Sequence, residues 1–153
     1  MATVGNYEWV TVTRVGSLGD IDAAAELLDQ YRQHYGANPA PEAVGAWLRE
    51  QIDSARARVY LAGEADGICT VAVVPAALTL RTVWLVRDLY VRPAARRRGV
   101  ARALLTAVAE EARASGAHRL SLQTETDNVR AIELYARTGF AAVPEVTVMD
   151  GVL

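Results

Sequence analysis

The chain has 153 residues, of which 52% are hydrophobic and 22% are charged. A chain of this length can bury one sizeable core with little left over, so we expect a single domain, residues 1–153. The formal net charge of −2 argues against a domain that coats nucleic acid. We also expect a cytoplasmic protein without membrane contact, because no apolar run reaches the roughly 18 residues of a membrane span and the N-terminus lacks signal-peptide features.

Hydrophobic periodicity predicts an α/β domain in which strands and helices alternate. After a strand at 9–15, Ser17 or Asp20 can cap a helix that ends near Gly36, and Pro41 can open a second helix. The remaining predicted elements are strands at 58–62, 68–74 and 82–91, a helix at 99–115, a strand at 120–124, a helix at 128–137 and a strand at 140–149. The predicted order is therefore β-α-α-β-β-β-α-β-α-β.

The single cysteine, Cys69, lies in the apolar run ICTVAVV. No internal disulfide is possible, and no histidine lies near it in sequence to activate the thiol. This context favours a packed core thiol over a nucleophile.

A cluster of arginines marks the start of the predicted helix at 99–115. The chain has 16 Lys+Arg residues, all of them arginine, and five lie within the eleven residues 92–102. Gly99 lets the backbone approach a ligand closely where a helix start presents unpaired N–H groups, which favours an anion site. The segment contains neither GxxxxGK[ST] nor GxGxxG, so it is neither a P-loop nor a dinucleotide fingerprint.

Two sequence motifs and one strand resemble the GNAT acetyltransferase superfamily. Residues 96–101, RRRGVA, match its R/Q-x-x-G-x-G/A element, and residues 128–140, NVRAIELYARTGF, resemble its element N-x-x-A-x-x-L-Y-x-x-x-G-F. The segment VRDLYVRP is similar to the central strand of the family. The resemblance covers essentially the whole chain and implies the GNAT fold, an α/β domain whose mixed sheet of about six or seven strands is flanked by four helices.

The resemblance implies an acetyl-CoA site and no metal. The backbone amides from Arg97 to Ala101, including Gly99 and Val100, would hold the CoA pyrophosphate, supported by Arg96 and Arg98. Leu89, Tyr90 and Val91 would bind pantetheine from one wall, and Asn128 and Arg130 from the other. The N–H near Leu89 would stabilise the oxyanion, and Tyr135 would protonate the departing CoA thiolate and contact the cofactor. The alternative role for Tyr135 is core packing beside Ile132.

The acceptor side has weaker candidates. Asp88 is the candidate general base and substrate contact, although an ion pair with Arg87 is the alternative. Tyr31, His34 and Tyr35 are candidates to line the amine site, or else form an ordinary amphipathic face. Glu125 and Asp127 also follow a strand, where a helix cap by Asp127 or Asn128 is the simpler explanation.

The predicted function is acetyl-CoA-dependent transfer of acetyl to a primary amine of a small molecule or peptide, by direct attack in a ternary complex. The segments YRQHYG, VWLVRDLYV, LSLQTETDN and LYARTGF resemble a branch typified by yeast enzymes that acetylate histone, polyamine or D-amino-acid amines. A homodimer is expected, since residues 146–149 could leave an apolar strand edge exposed. The alternative is a non-catalytic CoA-binding sensor or partner subunit, and a nucleic-acid module is disfavoured because the rest of the chain is not basic.

Overall fold

Six strands form one mixed sheet in a computed structural model that describes residues 2–7, 10–16 and 20–153. The strands lie in the sheet in sequence order; neighbours are antiparallel except the last pair, which is parallel. The predicted α/β fold with a mixed sheet is therefore confirmed. The strands are β1 (Ala2–Tyr7), β2 (Val10–Arg14), β3 (Ala57–Ala62), β4 (Gly67–Ala76), β5 (Arg81–Val91) and β6 (Arg119–Leu122).

The described residues form four α-helices, close to their predicted positions. As predicted, Pro41 occupies the first helical position of the second one. The third connects the parallel strands β5 and β6, as parallel pairing requires a crossover. The helices are α1 (Ile21–His34), α2 (Pro41–Asp53), α3 (Val100–Ala114) and α4 (Val129–Arg137).

The helices of the larger unit, which ends at Gln123, cover both faces of the sheet. Ile68 of β4 belongs to a core cluster with Leu27 and Leu28 of α1 and with residues of α2. A Cβ atom placed on the preceding residue, Gly67, would lie 2.8 Å from Val100 Cγ1 in α3. Because successive residues of a strand face opposite sides, α1 and α2 cover one face and α3 covers the other.

The C-terminal end of β5 contains a bulge and extends beyond its ladder with β6. Thr70 of β4 lies opposite Asp88, whereas Val71 lies opposite Val86, so Arg87 is an extra residue in β5. The parallel ladder with β6 covers only residues 83–86 of β5. Among the described strands, the last four residues of β5, 88–91, pair with β4 alone, which leaves one side of that backbone available to a ligand.

The N-terminal strand β1 was not predicted. Its sequence, ATVGNY, contains Gly and Asn, which are depleted in strands. Antiparallel pairing with β2 nevertheless holds it in the sheet. Trp9 and Ser17, which belonged to the first predicted strand and to a predicted helix cap, lie outside the described residues. The sheet thus begins with two strands before the first helix, and not with one.

The smaller unit, Thr124–Leu153, contains α4 and no strand. The predicted strand at 140–149 is wrong. Pro144 cannot donate a ladder hydrogen bond, and a turn interrupts the segment where Val146 N donates to Val143 O at 3.2 Å. No helix within the described parts of the chain is long and apolar enough to cross a membrane.

Candidate active site

The loop before α3 has the backbone geometry of an anion site. Arg97 has φ 63° and Gly99 has φ 77°, both in the left-handed region. Left-handed residues turn successive N–H groups toward one side, as in backbone concavities that bind anions. Gly99 is the N-cap of α3, so the amides of Val100 and Ala101 begin the helix without intrahelical acceptors. Apart from Gly99 and its neighbours in the chain, no heavy atom of the described residues would lie within 4 Å of a Cβ atom at Gly99, so the space beside this backbone is open.

The three arginines of this loop have different environments. Arg96 Nε donates a hydrogen bond to Val91 O at 3.0 Å, and its guanidinium carbon lies 6.0 Å from the centre of the Tyr90 ring. Arg96 therefore joins the loop to the end of β5. Arg97 and Arg98 are exposed, and no ion pair between described residues involves either of them. Both positive charges are thus available to a ligand.

The end of β5 carries the predicted residues Asp88, Leu89, Tyr90 and Val91. Asp88 is half-buried and accepts a hydrogen bond from Thr70 Oγ1, which orients the carboxylate across the bulge. The alternative ion pair with Arg87 is absent from the described residues. Leu89 lies beside the unpaired side of the strand described above, and Tyr90 packs against the α1 and α2 core.

A pocket of about 430 Å³ lies against α1 and α2, with Asp88 in its wall. Two predicted acceptor-site residues, Tyr31 and Asp88, line it. His34 and Tyr35 are not among its lining residues; Tyr35 is 65% exposed and its ring contacts those of Tyr31 and His34 at 5.1 and 5.3 Å. The lining residues are Leu28, Tyr31, Arg32, Ala40, Ala43, Val44, Trp47 and Asp88.

Sequence reasoning missed Arg32, the basic residue of this pocket, together with the acid that holds it. Arg32 Nη1 donates to Asp29 Oδ1 at 2.8 Å, and Asp29 is only 4% exposed. An acid and a base three residues apart on a helix face the same side, and that spacing was the available signal. The pair was not distinguishable from an ordinary surface ion pair, because its burial depends on the Ala40 segment that packs over it.

Most of the chain matches one protein family. The sequence model described as "Acetyltransferase (GNAT) family" matches residues 22–140, which include the loop before α3 and the whole of α4. The chain belongs to the GNAT acetyltransferase family. It is thus an N-acetyltransferase of that family, whose members use acetyl-CoA. The more specific resemblance to a yeast branch stays a prediction.

Individual GNAT relatives agree with this assignment. Uncharacterized N-acetyltransferase YhfO of Bacillus subtilis (strain 168) is 29% identical over 130 residues, covering 83% of this chain and 87% of that protein. A crystal structure of a probable acetyltransferase superposes with a TM-score of 0.86 at 28% identity and covers 93% of this chain and 97% of its own. The aminoglycoside acetyltransferase meta-AAC0020, from an uncultured soil metagenomic sample, has a TM-score of 0.82 at 17% identity and covers 95% and 97%; it shows the shared fold.

The cysteine of this GNAT protein is structural. Cys69 is fully buried in β4, as its apolar context predicted. Burial, and secondarily the charge of Asp88, raises the pKa of its thiol well above the ordinary value. The thiolate is the nucleophilic form, so this thiol is poorly suited to carry an acyl group. Within the described residues, no group of three or more His, Cys, Asp or Glu side chains could hold a metal ion.

The smaller unit carries the other predicted GNAT site residues on α4. Asn128 is the N-cap, and its Oδ1 accepts from Ala131 N at 3.3 Å; the cap is therefore Asn128 and not Asp127. Arg130 is exposed in the first turn. Tyr135 is half-buried, and its ring makes an edge contact with Phe140 at 6.0 Å between centroids. The motif residues are thus placed on one short helix and its following turn.

Proposed function

We propose that this GNAT protein is an acetyl-CoA-dependent enzyme that acetylates a primary amine of a small molecule or peptide. The observation that carries the proposal is the left-handed loop of Arg97 and Gly99 at the start of α3. This backbone fits a pyrophosphate, because its amides are unpaired, its flanking arginines are unneutralised and the space over Gly99 is open. Acetyl-CoA, when bound, would supply the activated acetyl group as a thioester.

Several elements of the chain supply the residues that we assign to this co-substrate. The amides from Arg97 to Ala101 would bind the pyrophosphate, with Arg96 and Arg98 in support. Leu89, Tyr90 and Val91 would offer the unpaired backbone of β5 to pantetheine, and the N–H near Leu89 would stabilise the oxyanion. Asn128, Arg130 and Tyr135 are assigned to the same ligand through their motif. The capping role of Asn128 leaves its side-chain amide NH₂ as the group available to donate.

The acceptor reaction is direct transfer. A neutral amine nitrogen forms a bond to the acetyl carbon as the carbon–sulfur bond breaks, and the sulfur leaves with the bonding electrons. Asp88 would take the proton that the ammonium form must lose, and Tyr135 would give a proton to the departing thiolate. Asp88 suits this role because it lies in the pocket wall beside Leu89 and because Thr70 orients it.

Replacing Asp88 with asparagine should lower kcat/KM at least about tenfold near pH 7, because only the small fraction of the acceptor that is already neutral could then react. The loss should shrink as the pH approaches the pKa of the free amine, which is about 8 for an α-amino group and about 10 for an alkylamine. Initial rates across this pH range measure the effect. Glu42→Gln, an exposed carboxylate of α2 outside the pocket lining, is the control. Full activity of Asp88→Asn near pH 7 would show that the base lies elsewhere.

The test of the function is release of the CoA thiol, measured across acceptors of different classes. The panel contains an apolar amino acid, a polyamine, a short peptide and an aminoglycoside, the class named for one structural relative. Acetyl-CoA should raise the melting temperature, and at least one acceptor should give turnover. Stabilisation by acetyl-CoA without turnover would favour the alternative, a non-catalytic CoA-binding sensor or partner subunit.

The same proposal includes one catalytic domain that acts in the cytoplasm as a homodimer. The family match extends across the boundary at Gln123, which supports a single domain. The apolar side chains of Val146, Val148 and Met149 are exposed and offer surface for self-association. Sedimentation at increasing concentration should show a mass above that of the monomer; a monomer mass at every concentration would reject the dimer.

A further inference from the structure

The pocket beside Asp88 contains a fixed cation as well as a carboxylate. Arg32 lies in its lining, and Asp29 holds one end of the guanidinium through Nη1 at 2.8 Å. Nη1 also lies 3.5 Å from the Asn38 carbonyl oxygen. A guanidinium carries five N–H groups, and among the described residues no acceptor is present for those on Nε and Nη2. The guanidinium of Arg32 is therefore held in place through Nη1, and its Nε and Nη2 donors are available to a ligand.

Asp29 is committed to three donors and not to Arg32 alone. Its carboxylate also accepts from Gln33 Nε2 at 3.2 Å and from the backbone N–H of Ala40 at 3.1 and 3.2 Å. Ala40 is the N-cap of α2, so part of the carboxylate charge is directed to that helix start. A second anion near the free edge of Arg32 would satisfy donors that Asp29 does not reach.

The remaining lining is mainly apolar. Leu28 and Val44 are buried, and Trp47 is 47% exposed although it is a large apolar residue. A volume of about 430 Å³ is within the range of small-molecule sites. The pocket thus offers a cation, a carboxylate and an apolar wall, which complement a carboxylate, an ammonium group and an apolar side chain.

We propose that the acceptor is an amine that also bears a carboxylate and an apolar side chain, and that Arg32 selects it by binding the carboxylate. The proposal rests on the proposed function, since it names the acceptor class of the same site. Arg32 would bind the carboxylate, Asp88 would face the amine, and Trp47 would contact the side chain. Asp29 would act as a positioning residue for Arg32.

Matched acceptors test this selection. Phenylalanine, phenylalaninamide and 2-phenylethylamine share the amine and the ring, but only the first carries a carboxylate. The kcat/KM of the wild-type enzyme should be at least about tenfold higher with phenylalanine than with the other two. The carboxamide is a strict control, because its amine is less basic and therefore more often neutral. Equal use of all three acceptors would overturn the proposal.

Variants of Arg32 test whether this residue causes the preference for an acceptor that bears a carboxylate. Arg32→Gln should lower kcat/KM for phenylalanine about tenfold or more, and should leave 2-phenylethylamine within about twofold of wild type. Arg32→Lys keeps the charge without the planar fork and should retain part of the preference. Arg49→Gln, which removes an exposed arginine of α2 outside the pocket lining, should change neither acceptor. An equal loss with both acceptors in Arg32→Gln would mean that Arg32 is structural, and would overturn the proposal.

Calorimetric titration of phenylalanine separates this inference from the proposed function. Heat of binding that Arg32→Gln abolishes, without turnover, would support the pocket assignment and reject the catalytic one. Turnover of the acceptor panel without any preference for the carboxylate would support the catalytic assignment and reject the pocket assignment. Circular dichroism and the melting temperature of each variant verify that the fold is retained.

Discussion

Replacing Gly99 with valine is expected to weaken acetyl-CoA binding about 100-fold, since losing one or two hydrogen bonds to a charged ligand costs on this order. Gly99 has φ 77°, a conformation that a β-branched residue avoids. Its side chain would also enter the open space beside the loop, where the pyrophosphate is proposed to bind. The conformational strain and the added side chain both disturb the backbone that is proposed to bind the pyrophosphate. The loss should therefore appear in the Kd for acetyl-CoA, measured by calorimetry.

Gly116→Val is the matched control, because Gly116 follows the C-terminal end of the same helix. It has φ 72°, and apart from its chain neighbours no heavy atom of the described residues would lie within 4 Å of a Cβ atom there. The two variants should therefore carry a similar backbone strain of about 1–3 kcal/mol. Only Gly99→Val should lose affinity. If it is folded and binds acetyl-CoA like the wild-type protein, the cofactor site is not at this helix start.

Replacing Tyr135 with phenylalanine should lower kcat by about 10²–10⁴-fold, the usual contribution of general acid–base catalysis. The substitution keeps the ring that contacts Phe140 and removes the proposed proton donor. Binding of acetyl-CoA should change little, because the loss concerns the departure of the thiolate and not the ground state. Steady-state kinetics with one good amine, together with the Kd for acetyl-CoA, measure the two effects separately.

Two further variants complete this experiment. Tyr7→Phe removes a hydroxyl that donates to Glu110 in α3 and should leave kcat unchanged. Cys69→Ala should remain active, because direct transfer needs no acyl-enzyme and the buried thiol has a raised pKa. An inactive Cys69→Ala beside an unimpaired Tyr135→Phe would replace direct transfer with a covalent route.

Local sequence patterns predicted the positions of most strands and helices. The helices α1 and α2, the strands β3 to β5 and the helix α3 match their predicted positions within about two or three residues, since each has a clear apolar period and a Gly or Pro boundary. The two ends of the chain were predicted less well. The partner strand β2 stabilises β1 despite a weak local preference, and Pro144 with its turn prevents a strand at 140–149 despite a favourable one.

The sequence by itself indicated the family, the order of the central elements and the position of the loop that we propose binds an anion, because adjacent residues encode helix starts and motifs. It named Asp88 as a candidate, but the hydrogen bond from Thr70, 18 residues earlier, depends on the register across a bulge. It did not indicate Arg32 as a pocket residue, because the bond between Asp29 and Ala40 forms only when α1 and α2 pack together. The orientation of Asp88 and the place of Arg32 in the pocket both depend on tertiary structure, since strand register and helix packing bring together groups that no local sequence period relates.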